Sequence, residues 1–337
     1  MSSITVTIII VSYRSAELAV DCLRSIDAER SITNVCIRAI VVDNASGDGP
    51  AIGEAIETHS WSSWVTLLIA PKNGGFAYGN NLALHHAYNM WLTDYFYLLN
   101  PDTVLRGGAI DLLVDFLQRH KDVGIAGSSF ENLDGSDWPT AFRFPSILSE
   151  IEGGLQLGLA TRLLHRWTVP VHMTPIEQPI DWIPGASMMI RRAVVEAIGG
   201  FDENYFLYFE ETDYCLRAKR AGFPTWYVPQ SRVMHIAGQS TKVTERGALP
   251  RRLPAYWFES RRRYFVVAYG VTLAKFIDLA ATVSYFLGSL KRFLLGRRRD
   301  GIPHFLEDLM RHSVLWRSNR NFQSLRSIQS FSELAQD

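Results

Sequence analysis

Four short apolar runs, each followed by a polar loop, dominate the first hundred residues of the chain. They cover residues 4–11, 36–42, 65–69 and 95–99, and the first, ITVTIIIV, is β-branched and apolar on both faces. Helical patterns follow at residues 16–26 and again after residue 76. Strands buried on both faces have this composition in parallel sheets. The alternation therefore predicts an α/β fold with a mostly parallel central sheet flanked by helices.

The pattern changes after residue 124. A further strand is predicted at residues 124–126, an irregular stretch at 138–164, and two strands joined by a turn at 180–190. Closer to the C-terminus, apolar side chains recur three and four positions apart, which predicts an amphipathic helix. They are Phe276, Leu279, Val283, Phe286, Leu290 and Phe293. Because Lys275 and Asp278 interrupt this run, we expect it to be too short to span a bilayer.

Three carboxylates lie at the start of a helix predicted within residues 199–222. Glu210, Glu211 and Asp213 follow an aromatic cluster, and Gly222 occupies the position of a C-terminal cap. Acids are common in first turns, because the helix dipole favours each of them by roughly 0.3–1 kcal/mol. Aromatic neighbours also permit a second interpretation, since a partly desolvated carboxylate can be tuned to act as a general base. The residues alone leave both interpretations open.

Polar residues also follow the carboxyl ends of the predicted strands, where open α/β sheets bind ligands. The turn after the first strand lacks G-x-G-x-x-G, which argues against a dinucleotide-binding fold. Asp43 suits a hydrogen bond to a base or ribose, and Asp102 suits a divalent cation that bridges a diphosphate. Either aspartate could equally cap the turn that contains it.

Seven ordered motifs give the chain a specific resemblance over about residues 5–241. They are VSY (11–13), VVDNASGD (41–48), NGGFAYGNN (73–81), LLNPDT (98–103), WIPGASMMIRR (182–192), GGFDENYFLYFEETDYCLRAKRAG (199–222) and HIAGQST (235–241). Together they resemble the inverting family 2 glycosyltransferases of the GT-A fold, and among these the bacterial rhamnosyltransferase-like branch. The resemblance implies a GT-A sheet and a C-terminal helical extension beyond it.

The resemblance also implies catalytic and acceptor-binding residues. The base would be Glu211, where the family more often has aspartate, with Glu210 and Asp213 as the alternatives. Trp182 and Gly185 would bind the acceptor, although a tryptophan equally suits core packing.

A nucleotide-sugar site and a metal site follow from the same resemblance. Asp102 and His235 would hold Mn²⁺ or Mg²⁺, although a lone histidine also serves structural roles. The metal-binding motif reads Asn100-Pro101-Asp102, so its usual first acid is absent. The residues implied to bind the nucleotide-sugar are Ser12, Tyr13, Asp43, Asn73, Asn80, Asn100 and Asp102.

Charge separates the two ends of the chain. Its 337 residues, 47% hydrophobic, can form one large or two unequal domains. Net charge is zero, yet residues 242–299 contain thirteen lysines and arginines and only three acids. We expect a catalytic domain at residues 1–241, with a nucleotide-sugar half at about 1–125 and an acceptor half at about 126–241. Residues 242–337 would form a basic, amphipathic helical region.

This basic region predicts an anionic membrane surface as a partner, although its apolar stripe could also pack on the catalytic body. The flanking basic residues are Arg251, Arg252, Arg261, Arg262, Arg263, Lys291, Arg292, Arg297, Arg298 and Arg299. No nucleic-acid recognition module is evident, so nucleic acid is not an expected partner. The sequence leaves open whether the protein forms a homo-oligomer.

Three cysteines without a CxxC favour a reducing compartment, and residues 8–11 are too short an apolar run for a signal peptide. The resemblance then implies a cytoplasmic enzyme, peripheral on the inner face of the membrane, that serves cell-envelope polysaccharide synthesis. Its donor would be dTDP-rhamnose and its acceptor a lipid-linked saccharide or oligosaccharide. The alternatives are a sugar nucleotidyltransferase and a non-catalytic nucleotide-sugar-binding module.

Overall fold

The computed structural model describes residues 4–132, 134–155, 158–235, 251–296 and 301–317. All strands within these ranges belong to one sheet. The strands are β1 (Thr5–Ser12), β2 (Cys36–Asp43), β3 (Val65–Ile69), β4 (Tyr95–Leu99), β5 (Thr103–Leu105), β6 (Ile125–Glu131), β7 (Asp137–Trp138), β8 (Gln178–Ile180), β9 (Ser187–Arg191) and β10 (Thr225–His235). The helices are α1 (Ala16–Arg30), α2 (Gly49–Thr58), α3 (Gly75–Met90), α4 (Ala109–Arg119), α5 (Ile147–Leu155), α6 (Gly158–Leu164), α7 (Arg192–Ile198), α8 (Glu210–Arg220), α9 (Ala255–Leu294) and α10 (Phe305–Arg311).

The central sheet runs in the order β3-β2-β1-β4-β9-β6-β10-β5, with β7 beside β6 and β8 beside β10. Its first half, β3-β2-β1-β4, is parallel, as the sequence predicts. The second half is mixed, because β9 runs antiparallel to both β4 and β6. The carboxyl ends of β1, β2, β4, β6 and β10 therefore lie at one edge, together with the loop that leads into β9.

Side chains of the parallel strands supply cores on both faces of the sheet. Ile8 and Ile10 belong to one buried cluster, and Ile9, between them, belongs to the other. This alternation explains why β1 is apolar at every position rather than at every second one.

Two sequence predictions need correction between β6 and β8. The strand predicted at residues 124–126 extends from Ile125 to Glu131. The stretch predicted to be irregular contains helices α5 and α6. Helix α5 has two glycines near its end, and the second, Gly154, lies against α9. A Cβ on Gly288 of α9 would overlap the carbonyl of Gly154 in α5, so the two backbones touch.

The expectation that the C-terminal apolar run is too short to cross a bilayer was wrong as to length. Helix α9 has 40 residues and is long and apolar enough to cross a membrane by length and composition alone. Core helices of soluble proteins meet the same criterion, so length and composition suit a buried helix as well as a membrane-spanning one. Gly270, with φ of 81° and ψ of 160°, is not helical and divides α9 into two helical parts at a kink.

Helix α9 is anchored to the rest of the fold through buried charges. Arg261, before the kink, donates to Asp278, after it, over 2.6 Å, and to Glu150 of α5 over 2.7 Å. Arg261 and Asp278 are almost fully buried. Asp278 also accepts from Ser313 and from the amide of Val314. One face of α9 therefore packs on the rest of the fold, which agrees with the interpretation that the C-terminal helix packs on the catalytic body.

Candidate active site

The residues predicted to be functional come from distant parts of the sequence but mostly meet at the carboxyl edge of the sheet. Ser12 and Asp43 end the neighbouring strands β1 and β2 and lie opposite each other in the ladder. Leu99 ends β4 opposite Ser187, the first residue of β9, so the Gly185 loop lies beside the loop that contains Asp102. This edge is where open α/β sheets bind their ligands.

Asp43 is held by its own loop. Its Oδ1 accepts from the amide and hydroxyl of Ser46, at 2.9 and 2.6 Å, and its Oδ2 accepts from the amide of Gly49 at 2.9 Å. Burial opposes ionisation here, but the hydrogen bonds from Ser46, Gly49 and Gly47 outweigh it and lower the pKa of Asp43. Asp43 is therefore a charged carboxylate that organises this turn, as the turn-capping interpretation held. Its contact with a nucleotide stays a prediction.

A loop after β3 is fastened to the loop that precedes α8. The side-chain amide of Asn44 donates to Asn73 Oδ1 at 3.2 Å and to the carbonyl of Gly75 at 3.0 Å. The amide of Phe76 donates to the carbonyl of Phe206 at 2.9 Å. Gly75 has φ of +88°, and a Cβ there would overlap that same carbonyl. Only glycine allows the two loops to approach this closely.

Three of the predicted nucleotide-binding residues differ in accessibility. Tyr13, just after β1, is 37% exposed and can contact a ligand. Ser12 and Asn80 are buried, and each is engaged within the protein. Ser12 shares a 3.0 Å hydrogen bond with Ser15, and the Asn80 amide donates to the carbonyl of Phe76 at 2.8 Å. These bonds favour structural roles for Ser12 and Asn80, and nucleotide contact stays a prediction for all three.

Asp102 and His235, which are 133 positions apart, meet because β10 pairs antiparallel with β5 and places His235 opposite Thr103. Asp102 Oδ1 lies 3.4 Å from His235 Nε2, and both side chains are largely buried. Among the described residues neither Asp102 Oδ1 nor His235 Nδ1 has a hydrogen-bond partner. Asn100, which replaces the first acid of the motif, instead accepts at its carbonyl from Thr103.

The Asp102–His235 pair has the donor types of a divalent metal site. Ligand atoms bound to such an ion each lie about 2.1 Å from it. Asp102 Oδ1 and His235 Nε2, 3.4 Å apart, are therefore close enough to bind the same ion. No group of three or more ligating side chains occurs in the described part of the chain. Mg²⁺ and similar ions commonly use one or two protein carboxylates together with substrate phosphates. The residues present therefore fit a metal that would be completed by a diphosphate.

Glu210 and Glu211 begin helix α8 but face different surroundings. Glu210 is 1% exposed, and burial together with the neighbouring Glu211 charge raises its pKa well above its usual range. Glu211 is partly exposed, and its Oε1 accepts from the amide of Gly185 at 3.3 Å. Burial raises the pKa of Glu211 as well, while its hydrogen bonds to amides partly offset the shift. Glu211 is thus the acid of this pair that has both access and a raised pKa.

Gly185 lies between Glu211 and an aromatic ring. A Cβ on Gly185 would lie 2.7 Å from Cζ of Phe76 and 3.4 Å from Cγ of Glu211. Glycine therefore lets this loop pass between the two side chains and bring its amide to the Glu211 carboxylate. In this structure, the position predicted to bind the acceptor also helps to position the predicted base.

Asp213 has a structural environment. Its Oδ2 accepts from Arg217 at 2.8 Å, and both side chains are largely buried. Arg217 in turn donates to the carbonyls of Ile198 and Gly200, at 2.9 and 2.8 Å, just before the α8 loop. Burial raises the pKa of Asp213, and the Arg217 charge opposes that shift. This ion pair holds α8 to the preceding segment and disfavours Asp213 as the base.

Trp182 packs within the fold on one side. Its ring stacks on Phe142 with a centroid distance of 4.5 Å and an interplanar angle of 18°. Its indole nitrogen donates to the carbonyl of Arg143 at 3.0 Å. The face of Trp182 that stacks on Phe142 therefore has a packing role. The residue is partly exposed, and its contact with an acceptor stays a prediction.

The turn that leads into α8 is strained. Tyr208 and Phe209 have φ of 70° and 68°, the left-handed region that bulky residues rarely adopt. Such conformations cost about 1–3 kcal/mol each and persist only where the surroundings hold them, often at functional sites. Here they directly precede Glu210 and Glu211, so the strained turn fixes the point at which the acidic helix begins.

Sequence reasoning missed two residues that shape this edge. Asn44 fastens the loop after β2 to the loop after β3, and its Oδ1 is buried without a hydrogen-bond partner among the described residues. Phe76 lies against Gly185. Both occur inside the quoted motifs, but only the fold shows which side chains they contact.

A family model described as "Glycosyltransferase like family 2" matches residues 4–249. An N-acetylglucosaminyl-diphospho-decaprenol L-rhamnosyltransferase of Mycobacterium tuberculosis is 31% identical over 216 residues, which cover 61% of this chain and 68% of that protein. Rhamnosyltransferase WbbL of Escherichia coli (strain K12) is 26% identical over 166 residues, which cover 48% of this chain and 61% of that protein.

Solved structures with the same fold include two complexes with sugar nucleotides or their products. The mannosyltransferase PcManGT from Pyrobaculum calidifontis, in complex with GDP-Man and Mn²⁺, aligns with a TM-score of 0.54 at 15% identity, covering 100% of this chain and 87% of that one. GalNAc-T7 with UDP, GalNAc and Mn²⁺ aligns with a TM-score of 0.55 at 14% identity, covering 92% of this chain and 57% of that one. At such identities the similarity concerns the fold.

Proposed function

This chain belongs to the family 2 glycosyltransferases, and we propose that it transfers L-rhamnose from dTDP-rhamnose to a lipid-linked saccharide with inversion. Membership of the family and the GT-A fold were both predicted from the sequence motifs and are confirmed. The choice of sugar and acceptor is supported by the relatives, two of which are named rhamnosyltransferases. One of those names specifies an N-acetylglucosaminyl-diphospho-decaprenol acceptor. We place the product in cell-envelope polysaccharide synthesis.

The observation that carries this proposal is the environment of Glu211. This residue is partly exposed, burial raises the pKa of its carboxyl group, and its Oε1 accepts from the Gly185 amide at the carboxyl edge of the sheet. In the proposed reaction the acceptor oxygen bonds to the anomeric carbon as the bond from that carbon to the diphosphate breaks. Glu211 takes the proton of the acceptor hydroxyl, and the nucleoside diphosphate leaves. Attack on the face opposite the leaving group inverts the anomeric carbon.

Asp102 and His235 are the residues that would hold the divalent ion. When bound, such an ion neutralises charge on the leaving diphosphate as a Lewis acid. Asp43 and Tyr13, on the neighbouring strand ends, would contact the nucleoside. Asp43 is already charged and fixed, so it is ready to accept a hydrogen bond from a base.

Product analysis tests this function directly. The purified protein is incubated with dTDP-rhamnose, Mn²⁺ and a prenyl-diphosphate-linked N-acetylglucosamine. We expect a lipid-linked disaccharide and dTDP in equal amounts, with inverted anomeric configuration by NMR. In a parallel incubation with dTTP and rhamnose 1-phosphate, formation of dTDP-rhamnose with release of pyrophosphate would instead indicate a nucleotidyltransferase. Absence of transfer from dTDP-rhamnose, with transfer from another sugar nucleotide in a parallel panel, would contradict the donor.

We further propose that the second part of α9 contacts the membrane that carries the acceptor. Residues at three- and four-residue steps after the kink form an apolar stripe on its surface. These stripe residues are Phe276 (59% exposed), Leu279 (51%), Val283 (51%), Phe286 (55%), Leu290 (44%) and Phe293 (49%). A continuous exposed stripe of this kind is typical of helices that lie in a membrane interface.

The charges around the stripe differ from the sequence prediction. Arg261 and Arg263 are buried in ion pairs, and Arg252 pairs with Asp308. Arg261 and Arg263 are therefore not available to an anionic surface, and Arg252, although 46% exposed, is already engaged by Asp308. Arg297, Arg298 and Arg299 lie outside the described residues. Lys275 and Lys291 lie on or beside the stripe. The basic flank that can face an anionic surface is thus smaller than the sequence suggests, and apolar insertion carries more of the proposed attachment.

Vesicle flotation tests this attachment with a matched control. The double variant Phe276→Ser/Phe286→Ser removes two half-exposed rings, each worth about 1–2 kcal/mol of burial, so binding to phosphatidylglycerol vesicles should weaken at least tenfold. Leu92→Ser/Ile176→Ser removes apolar side chains that lie elsewhere and are even more exposed, at 89% and 66%, and this variant should bind like the wild type. Wild-type protein that fails to float even at low salt would contradict the membrane contact.

A further inference from the structure

The first part of α9, which follows the family-matched segment, packs against the loop that leads to the acidic helix. Arg263 donates to Asp202 Oδ2 through Nε at 2.7 Å, and its Nη2 lies 2.6 Å from the same oxygen in an ion pair. Both side chains are at most 4% exposed. Asp202 Oδ1 accepts from the amide and side chain of Asn204 at 3.1 and 2.7 Å. Arg263 thus holds the start of this loop from the C-terminal side of the chain.

A second group of contacts holds the end of the same loop. The hydroxyl of Ser260, one turn from Arg263, donates to the carbonyl of Leu207 at 3.0 Å. The ring of Phe209 lies against Trp257 and Tyr264, with centroid distances of 5.7 and 5.6 Å. Successive turns of α9 therefore touch both ends of residues 202–209.

The loop that α9 holds is the strained one. Tyr208 and Phe209 both have positive φ, and strained backbone persists where its surroundings over-determine it. The Phe209 carbonyl accepts from the amide of Asp213 at 2.8 Å, so this residue also fixes the first turn of α8. Phe206, in the same loop, receives the hydrogen bond from Phe76, whose ring contacts Gly185. Movement of the loop would therefore reach Glu211 both through α8 and through the Gly185 loop.

We propose that Arg263 and Ser260 are positioning residues for Glu211, so that the C-terminal helix completes the catalytic site although it contributes no group to the chemistry. The proposal rests on the proposed function for its kinetic consequences. Its structural consequence, a loop that is ordered by α9, stands independently of which sugar is transferred.

The chain supplies a matched control for the buried arginine. Arg261 lies two residues before Arg263 on the same helix and is equally buried, but it pairs with Glu150 and Asp278, away from the loop. Arg261→Met leaves Glu150 and Asp278 without their cation, Arg263→Met leaves Asp202 without its cation, and we expect both variants to have a lower melting temperature. Only Arg263→Met should affect residues 202–213.

Hydrogen exchange measures the structural consequence without any substrate. In Arg263→Met we expect peptides that cover residues 202–213 to exchange at least tenfold faster than in the wild type. The same peptides should be unchanged in Arg261→Met. Ser260→Ala, which removes one hydrogen bond and should fold normally, should show a smaller acceleration in the same peptides.

Kinetics measures the catalytic consequence with dTDP-rhamnose and the lipid-linked acceptor. Misplacement of a catalytic group by about 1 Å can cost roughly 10²-fold, so we expect kcat of Arg263→Met to fall about 10–100-fold with KM for the donor within about twofold. Ser260→Ala should lose a few-fold, and Arg263→Lys, which keeps the charge, should recover part of the loss. Arg261→Met, assayed below its melting temperature, should keep wild-type kcat.

Two results would overturn the proposal. One is unchanged exchange in residues 202–213 of both Arg263→Met and Ser260→Ala. The other is an equal loss of kcat in Arg261→Met and Arg263→Met, since that would indicate a general loss of stability. A wild-type protein that transfers no sugar would contradict the proposed function instead, while the exchange experiment would still decide whether α9 orders the loop.

Discussion

Gly185→Ala is the substitution for which the structure gives the clearest magnitude. The added methyl carbon would lie 2.7 and 2.8 Å from Cζ and Cε1 of Phe76, whereas carbon atoms in contact are about 3.5–4.0 Å apart. The ring or the Gly185 loop must therefore move by about 1 Å. Because the Gly185 amide donates to Glu211, a movement of the loop also displaces the partner of the base. A shift of this size corresponds to a loss of about 10–100-fold in kcat, or about 1.4–2.7 kcal/mol in the barrier.

The assay is steady-state transfer with separate determination of kcat and donor KM, at a temperature where the variant is folded. Overpacking also costs about 1–3 kcal/mol of stability, so the melting temperature is measured alongside. Gly107→Ala is the control, because a methyl group there meets no atom within 4 Å. The double variant Gly185→Ala/Phe76→Leu shortens the clashing ring and should recover part of kcat. A kcat within threefold of the wild type in the single variant would refute this positioning role.

Two further predictions concern the neighbouring acids and the metal pair. Asp102→Asn and His235→Ala should each raise the Mn²⁺ concentration needed for half-maximal transfer at least tenfold, as read from Mn²⁺ titrations; full activity of the wild type in EDTA would contradict the metal assignment. Glu210→Gln tests the burial of Glu210. Because the pKa of Glu210 is raised in the folded state, its ionisation lowers the stability of the wild type increasingly as the pH rises above the ordinary pKa of a glutamate. The melting temperature of the variant relative to the wild type should therefore rise between pH 5 and pH 8, and a difference independent of pH would contradict the prediction.

The parallel half of the sheet could be predicted within about one residue at most strand ends. The strands there are continuous β-branched or aromatic runs bounded by polar loops, and burial on both faces leaves no other pattern. Helix α5 could not be predicted, because its sequence carries two glycines and its stability comes from packing against α9. Gly154 weakens the local helical pattern, yet its lack of a side chain permits the close contact of α5 with α9.

The candidate site could be predicted only with the aid of the family resemblance. Nothing in the sequence shows that His235 lies beside Asp102, since their contact depends on the pairing of β10 with β5. The arginines of α9 were interpreted as a basic flank, but Arg261 and Arg263 are buried against acids that are distant in sequence. Long-range ion pairs of this kind leave no local periodicity, so they are visible only in the fold.

The most direct test of the central claim is the single-turnover rate of sugar transfer by Glu211→Gln, with Glu210→Gln in parallel. Glutamine keeps the size of the side chain and can still accept from the Gly185 amide, but it cannot take the proton of the acceptor hydroxyl. We expect a rate about 10²–10⁴-fold below the wild type for Glu211→Gln, with donor affinity changed by less than about twofold. Glu210→Gln should lose less than about tenfold. A Glu211→Gln rate within threefold of the wild type, or a greater loss in Glu210→Gln, would contradict the assignment of the base.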